Sequence, residues 1–234
     1  MQDSSAQKTV LLIGASRGLG FAMAEEYLAR GWRVIATGRE GSVEKLRQVA
    51  KTSGGAFEVE TVDITMPEQV AALRGRLEGR HVDLLFVNAG VKNDDRETIA
   101  DVSTDEFVRV MVTNSLSPMR VIETLVDLVQ PRGTIGVMSS GQGSVTNNEN
   151  GNYEVYRGSK AALNMFMRSF AARHRDDART LLLMAPGWVR TDMGGPEARL
   201  SIEESIPNLI DTISAYEGRS GLHYLDYLGR VVPW

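Results

Sequence analysis

One stretch limits the fold of this chain more than any other: an apolar strand that runs directly into a glycine turn and then a helix. Thr9-Val10-Leu11-Leu12-Ile13 is continuously apolar, and Gly14-Ala15-Ser16-Arg17-Gly18-Leu19-Gly20 follows without a gap. Phe21 to Arg30 has helical composition and stops at Gly31, after which Arg33-Val34-Ile35-Ala36-Thr37 reads as a second strand. A strand with no polar face must be covered on both sides, the situation of a parallel sheet. A glycine turn at the head of a helix exposes backbone N–H groups, and the missing Cβ atoms let an anionic group approach them closely. Gly14, Gly18 and Gly20 are therefore expected at a phosphate. Their spacing, G-x-x-x-G-x-G, differs from the G-x-G-x-x-G of the larger dinucleotide-binding proteins.

The alternation continues. Val43 to Lys51 reads as a helix closed by Gly54-Gly55, Ala56 to Val62 as a strand leading into Asp63-Ile64-Thr65, and Met66 to Glu78 as a helix. Val82 to Val87 is another buried strand and ends in Asn88-Ala89-Gly90. Such alternation predicts an α/β fold of three layers, a doubly wound Rossmann arrangement around a mostly parallel sheet of about seven strands. Ligands of these sheets bind at the carboxyl ends of the strands, so Gly14, Asp63 and Asn88 are expected along one edge. Arg39 lies just past the second strand, where a site for NAD(H) would place an acidic residue. Gly38 and Arg39 instead offer positive charge to a 2′-phosphate, with Arg17 nearby, and this favours NADP(H) over NAD(H).

In the second half, Thr104 to Val129 reads as one long helix interrupted at Pro118, which has no N–H for the carbonyl of Asn114. A freed carbonyl there could hold a water or could merely mark a packing kink. Gly133 to Met138 is the next strand, with Ser139-Ser140 at its end. Tyr156 and Lys160 are four residues apart on the next helix and share a face. A nearby ammonium favours the phenolate, so the pair is a tunable acid/base, although the spacing alone is common on solvated helices. Ser159, Ala161 and Ala162 suggest that this face packs closely. Thr180 to Met184 is a sixth strand leading into Ala185 to Thr191. Asp192 to Leu200, with Gly194-Gly195 and Pro196, reads as a mobile covering loop. Ser201 to Tyr216 reads as a helix and Gly221 to Trp234 as a final strand and tail.

Composition removes several alternatives. The chain has 234 residues and no internal repeat or linker, and reads as a single domain spanning 1–234, with substrate loops near 141–153 and 192–216. Without cysteine there is no disulfide and no thiolate chemistry. His81, His174 and His223 form no ligand-spaced pair, so no metal is expected. No His/Asp pair and no G-x-S-x-G elbow accompany the serines, which argues against a hydrolase. A net charge of -4 gives no reason to expect nucleic acid. The polar N-terminus and short apolar runs predict neither a leader nor a membrane span, and hence a cytoplasmic protein.

Taken in order, the glycine turn, Asn88-Ala89-Gly90, Asn114, Ser140 and Tyr156-x-x-x-Lys160 closely resemble the short-chain dehydrogenases/reductases, from about Thr9 to the C-terminus. Pro186 to Gly195 and the ending Val232-Pro233-Trp234 look most like the C-factor and carbonyl reductase subgroup. The resemblance implies an oxidoreductase that moves a hydride between NADP(H) and a carbonyl or alcohol. Tyr156 would be the general acid/base, Lys160 would hold the nicotinamide ribose and lower the Tyr156 pKa, Ser140 would orient the carbonyl, and Asn114 would support a water. Gly14, Ser16, Arg17, Gly18, Leu19 and Gly20 map onto the phosphate turn, and Asp63 and Ile64 onto the adenine contact. Asn88, Ala89 and Gly90 map onto the adenosine side, and Pro186, Gly187, Val189 and Thr191 onto the nicotinamide side. A dimer or tetramer paired through the helices of Asn114 and Tyr156 is expected, with a single chain as the alternative. A C-factor-like signalling protein and a 3-oxoacyl-thioester reductase are the competing functions. Three departures stand out: Ile13 replaces a threonine whose hydroxyl steadies the turn, Val87 replaces the first asparagine of Asn-Asn-Ala-Gly, and the Ser140–Tyr156 interval is long. The last leaves Ser139 and Ser140 both open as the acting hydroxyl.

Overall fold

A computed structural model describes residues 7–234; the expectation of no leader segment falls partly on residues 1–6, outside the described residues. Seven strands form one sheet in the order β3-β2-β1-β4-β5-β6-β7. They are β1 (Thr9–Ile13), β2 (Arg33–Gly38), β3 (Phe57–Thr61), β4 (Val82–Val87), β5 (Val129–Met138), β6 (Thr180–Ala185) and β7 (Gly221–Asp226). Every neighbouring pair is parallel. The order reverses direction between β1 and β4, the position at which a doubly wound sheet opens a crevice.

Strand periodicity shows why both faces must be covered. Leu11 and Ile13 of β1 enter one core with Leu73, Val121, Leu163 and Phe170, whereas Val10 and Leu12 enter the other with Met23, Leu46, Leu209 and Ile213. The first core is roofed by α3 (Pro67–Arg76), α5 (Ser117–Leu125) and α6 (Glu154–Arg173), the second by α1 (Gly18–Ala29), α2 (Glu44–Thr52) and α7 (Ile202–Tyr216). α7 starts at a reciprocal cap in which the Ser201 hydroxyl accepts from Glu204 N–H and the Glu204 carboxylate accepts from Ser201 N–H. No helix among the described residues is long and apolar enough to cross a membrane.

Three segments add detail to the sequence reading. The helix expected over Thr104–Val129 is α4 (Thr104–Met111), a π turn (Val112–Leu116) and α5, and Val129 already belongs to β5. Pro118 cannot donate to Asn114, and the wider turn absorbs the lost donor without a sharp break. Asp192–Leu200 has contacts of its own: Trp188 Nε1–H donates to Gly194 O at 2.8 Å, Arg190 to Ala198 O at 2.9 Å, and Val189 pairs with Leu200. Finally, the segment expected as a substrate loop near 192–216 includes α7, whose inner face is buried in the second core through Ser205, Ile206, Leu209, Ile210 and Ile213.

Candidate active site

A cavity of about 1270 Å³ opens at the carboxyl ends of the strands. Among the residues singled out from sequence, all but Gly20 and Asn114 line it. Gly20 lies behind the turn, where a Cβ would come within 2.2 Å of Gly14 O and 2.6 Å of the Asn88 amide. Close packing of helix on strand requires a residue without a side chain there. Asn88 has a similar bracing task, since its amide donates to Gly14 O at 2.8 Å. The hydroxyl missing at Ile13 is supplied from β2: the Gly14 N–H donates to Thr37 Oγ1 at 3.1 Å. Arg17 meets Asp192 at 3.1 Å, but both side chains are strongly exposed, so the pair contributes little and its partners can exchange. Asp63 spends one carboxylate oxygen on the N–H and hydroxyl of Thr65.

The two serines at the end of β5 diverge. Ser139 is buried and its hydroxyl donates to Asn164 Oδ1 at 2.6 Å. The Ser140 hydroxyl accepts from Gln142 N–H at 3.1 Å and lies against the Tyr156 phenol. Accepting that N–H leaves the Ser140 hydroxyl proton available to donate. α6 brings the remaining groups: Lys160 is 3% exposed, its ammonium donates to Met138 O at 2.8 Å and lies 5.9 Å from the centre of the Tyr156 ring. Removal from water pushes Lys160 down from 10.5 to about 8.

Tyr156 is shifted upward, the reverse of what its spacing from Lys160 predicts. Burial is the largest cause, the Ser140 hydroxyl opposes it, and Tyr224 adds to it. The residue keeps some exposure along the cleft, yet its hydroxyl sits among protein atoms, and the ammonium that was expected to favour the phenolate is directed to Met138 O.

Asn114 stands behind the cleft, fully buried. Its Oδ1 accepts from Val91 N–H at 2.8 Å, while its Nδ2 donates to Val91 O at 2.7 Å and Ser159 Oγ at 2.9 Å. The Ser159 hydroxyl in turn donates to Tyr156 O at 2.7 Å, and Ser115 donates to Ser159 O at 2.8 Å. The π turn is therefore stitched to the first turns of α6. Tyr153, at the head of α6, is the only non-glycine among the described residues with positive φ, at 61°. The Arg157 side chain holds Asn152 O and the Arg157 N–H holds Tyr153 O, which keeps the unusual backbone in place.

Residues 8–199 match the family model for short chain dehydrogenase. The chain belongs to the short-chain dehydrogenases/reductases. Among solved structures, this dehydrogenase/reductase is similar to a short-chain dehydrogenase/reductase from Burkholderia multivorans with bound NADP, at 57% identity and a TM-score of 0.96 over 98% of this chain and 100% of that one. It is also similar to a carbonyl reductase from Pseudomonas aeruginosa PAO1 in complex with NADP, at 32% identity and a TM-score of 0.90 over 98% and 100% of the two chains. The C-signal of Myxococcus xanthus is 34% identical over 155 residues, 65% of this chain and 93% of that protein.

Three residues of the dehydrogenase/reductase site were not singled out from sequence. Asn164 was within reach of such reading, since it is one turn beyond Lys160 and two beyond Tyr156 on the same helical face. Thr37 and Tyr224 carry no local signal; each matters only because the fold brings a distant strand beside it. Among the described residues no group of three or more His, Asp or Glu side chains is placed to hold a metal ion.

Proposed function

We propose that this chain is an NADP(H)-dependent carbonyl reductase that also runs in reverse as an alcohol dehydrogenase. The single observation carrying this reading is that one cleft joins the glycine turn to Tyr156, Ser140 and Lys160. The cleft fits the cofactor on its own terms: backbone N–H groups open α1 without side chains in the way, and Arg17 and Arg39 offer charge where a 2′-phosphate would stand. Relatives crystallised with NADP support the same choice. When bound, the cofactor supplies the hydride that reduces the carbonyl carbon.

The chain's own residues handle the oxygen. Ser140 donates a hydrogen bond to the carbonyl oxygen and holds it near the phenol. Tyr156, kept protonated by its raised pKa, gives its proton to that oxygen as negative charge develops. The Lys160 ammonium stabilises the phenolate left behind and, through a ribose hydroxyl, would fix the cofactor's position. Asn114, held by three side-chain hydrogen bonds, keeps the π turn beside Lys160, where it would support a relay water.

Purified protein mixed with NADPH and a panel of aldehydes, ketones and diketones should consume NADPH. Tyr156→Phe should lose at least about 100-fold in kcat, the usual worth of a general acid, while NADPH binding changes little. No turnover on any carbonyl together with no NADPH binding would overturn the proposal, and an active Phe variant would overturn the role of the phenol. The likeness to C-signal favours a second reading, a cofactor-binding regulatory protein; partner binding that needs NADP(H) but survives Tyr156→Phe would support it. For the assembly we propose a homo-oligomer, because the outer faces of α4 and α6 carry exposed apolar side chains.

A further inference from the structure

After β7 the chain reverses at 226–229 and runs back along its own strand: Asp226 N–H donates to Arg230 O, and Val232 N–H to Tyr224 O, both at 2.9 Å. Val231, Val232 and Pro233 thereby reach the cleft and line it. Trp234 anchors them. Its ring lies 5.4 Å from the Tyr224 ring on one side, and the Arg168 guanidinium of α6 sits 4.4 Å from its centre. Its backbone oxygen accepts from Thr146 N–H at 3.0 Å and from the Ser144 hydroxyl at 3.4 Å. The tail is therefore bound both to β7 and to the segment that follows Ser140.

Tyr224 completes the circuit. It is 3% exposed, and its hydroxyl donates to the carbonyl oxygen of Ser140 at 2.5 Å. That oxygen also accepts from Gly143 N–H at 2.9 Å, while the Ser140 hydroxyl accepts from Gln142 N–H. Both ends of Ser140 are thus fixed by the tight turn 141–143, and from outside the Tyr224 hydroxyl clamps the Ser140 carbonyl that begins it. Asn164 holds the same turn from α6, donating to Gly143 O at 3.1 Å.

We propose that Tyr224, backed by Trp234, is a positioning residue that sets the direction of the Ser140 hydroxyl, so that the tail forming a wall of the substrate pocket is mechanically joined to the reacting group. The proposal rests on the reading of Ser140 as the group that holds the carbonyl oxygen. A substrate pressing on Val231 to Pro233 bears on Trp234, and through the Tyr224 ring on the carbonyl of Ser140. Fit in the pocket is then felt as hydroxyl alignment, which places the effect in kcat more than in binding.

The test uses the full chain with four variants: Tyr224→Phe, Trp234→Ala, Trp234→Phe and the double variant Tyr224→Phe/Trp234→Ala. Tyr224→Phe keeps the ring and removes only the donor, so it should fold with little change in Tm. It should lower kcat about 5- to 10-fold, the usual worth of one hydrogen bond, with KM and NADPH binding nearly unchanged. Without any cofactor or substrate, amide exchange at Gln142 and Gly143 should quicken several-fold in the same variant. Trp234→Ala should act in the same direction, Trp234→Phe should restore most of the loss, and the double variant should fall short of the product of the singles. Exchange and kcat must change together: if either stays at the wild-type value in Tyr224→Phe, the proposal is overturned. Tyr156→Phe run alongside separates the two failures, since an inert Tyr156→Phe beside an unaffected Tyr224→Phe overturns the coupling and leaves the functional reading standing. If the wild type turns over no carbonyl, the functional reading falls and the exchange rates alone decide the coupling.

Discussion

Lys160 is the residue whose chemistry responds most to its surroundings. Burial pushes it down to about 8, so its charge is lost within the range of ordinary assays. Carbonyl reduction is expected to decline as pH rises through about 8, because the phenolate that the proposed proton transfer leaves at Tyr156 would then lack a cationic neighbour. Measuring kcat between pH 6 and 10 checks this; a flat profile would show that the ammonium has no such role. The stability consequence has a definite sign. A lysine depressed in the folded state binds fewer protons folded than unfolded between about 8 and its ordinary 10.5, so its contribution favours folding increasingly as pH rises through that window. Denaturant unfolding at pH 7.5 and 10 should show wild type gaining relative to Lys160→Met, on the order of 1 kcal/mol per unit of displacement. The spacing of Tyr156 and Lys160 showed that the groups are neighbours, but the upward shift of the phenol came from dehydration, which no spacing encodes.

At the scale of elements, the glycine turn and the end of β2 are one device. Thr37 reaches across to the Gly14 N–H, and Gly38 admits Ser16, since a Cβ at Gly38 would come within 2.8 Å of Val43 Cγ1 and 3.0 Å of Ser16 Cβ. An acidic side chain at that position would meet Val43, and the next residue, Arg39, lines that end of the cleft, where the proposed function gives it the 2′-phosphate. Arg39→Ala should therefore raise KM for NADPH about 10-fold and leave KM for NADH nearly unchanged, a loss of charge-assisted hydrogen bonds to phosphate alone. Equal losses for both cofactors would show that Arg39 does not face a 2′-phosphate. The strand–turn–helix order of this device was legible from sequence because periodicity is local. The π turn at Val112–Leu116 was legible only as a disturbance at Pro118: proline reports a lost hydrogen bond, while the way the backbone compensates depends on Val91 and Ser159 across the cleft.

Over the whole molecule, seven parallel strands with helices on both faces leave one edge of the sheet open to ligand and one helical face apolar. Val108 and Phe107 on α4 and Met165 and Phe166 on α6 are exposed, and the two helices pack side by side. Light scattering at micromolar concentration should give a mass of two or more chains, and Phe166→Glu should shift it toward one, since a carboxylate cannot be buried there without a partner. A single-chain mass for the wild type would remove the proposed assembly. The same architecture separates what each level of description decides. Apolar runs, turn residues and helical spacing settled by themselves that the fold is a doubly wound sheet and that Tyr156 and Lys160 share a face, because those patterns act over a few neighbouring residues. Only the folded chain decided that Ser140, not Ser139, turns to the phenol, that Thr37 stands in for the hydroxyl lacking at Ile13, and that Tyr224, 84 residues from Ser140, clamps its carbonyl. Contacts of that range depend on how strands stack and how much water they exclude, and neither quantity is carried by residues adjacent in the chain.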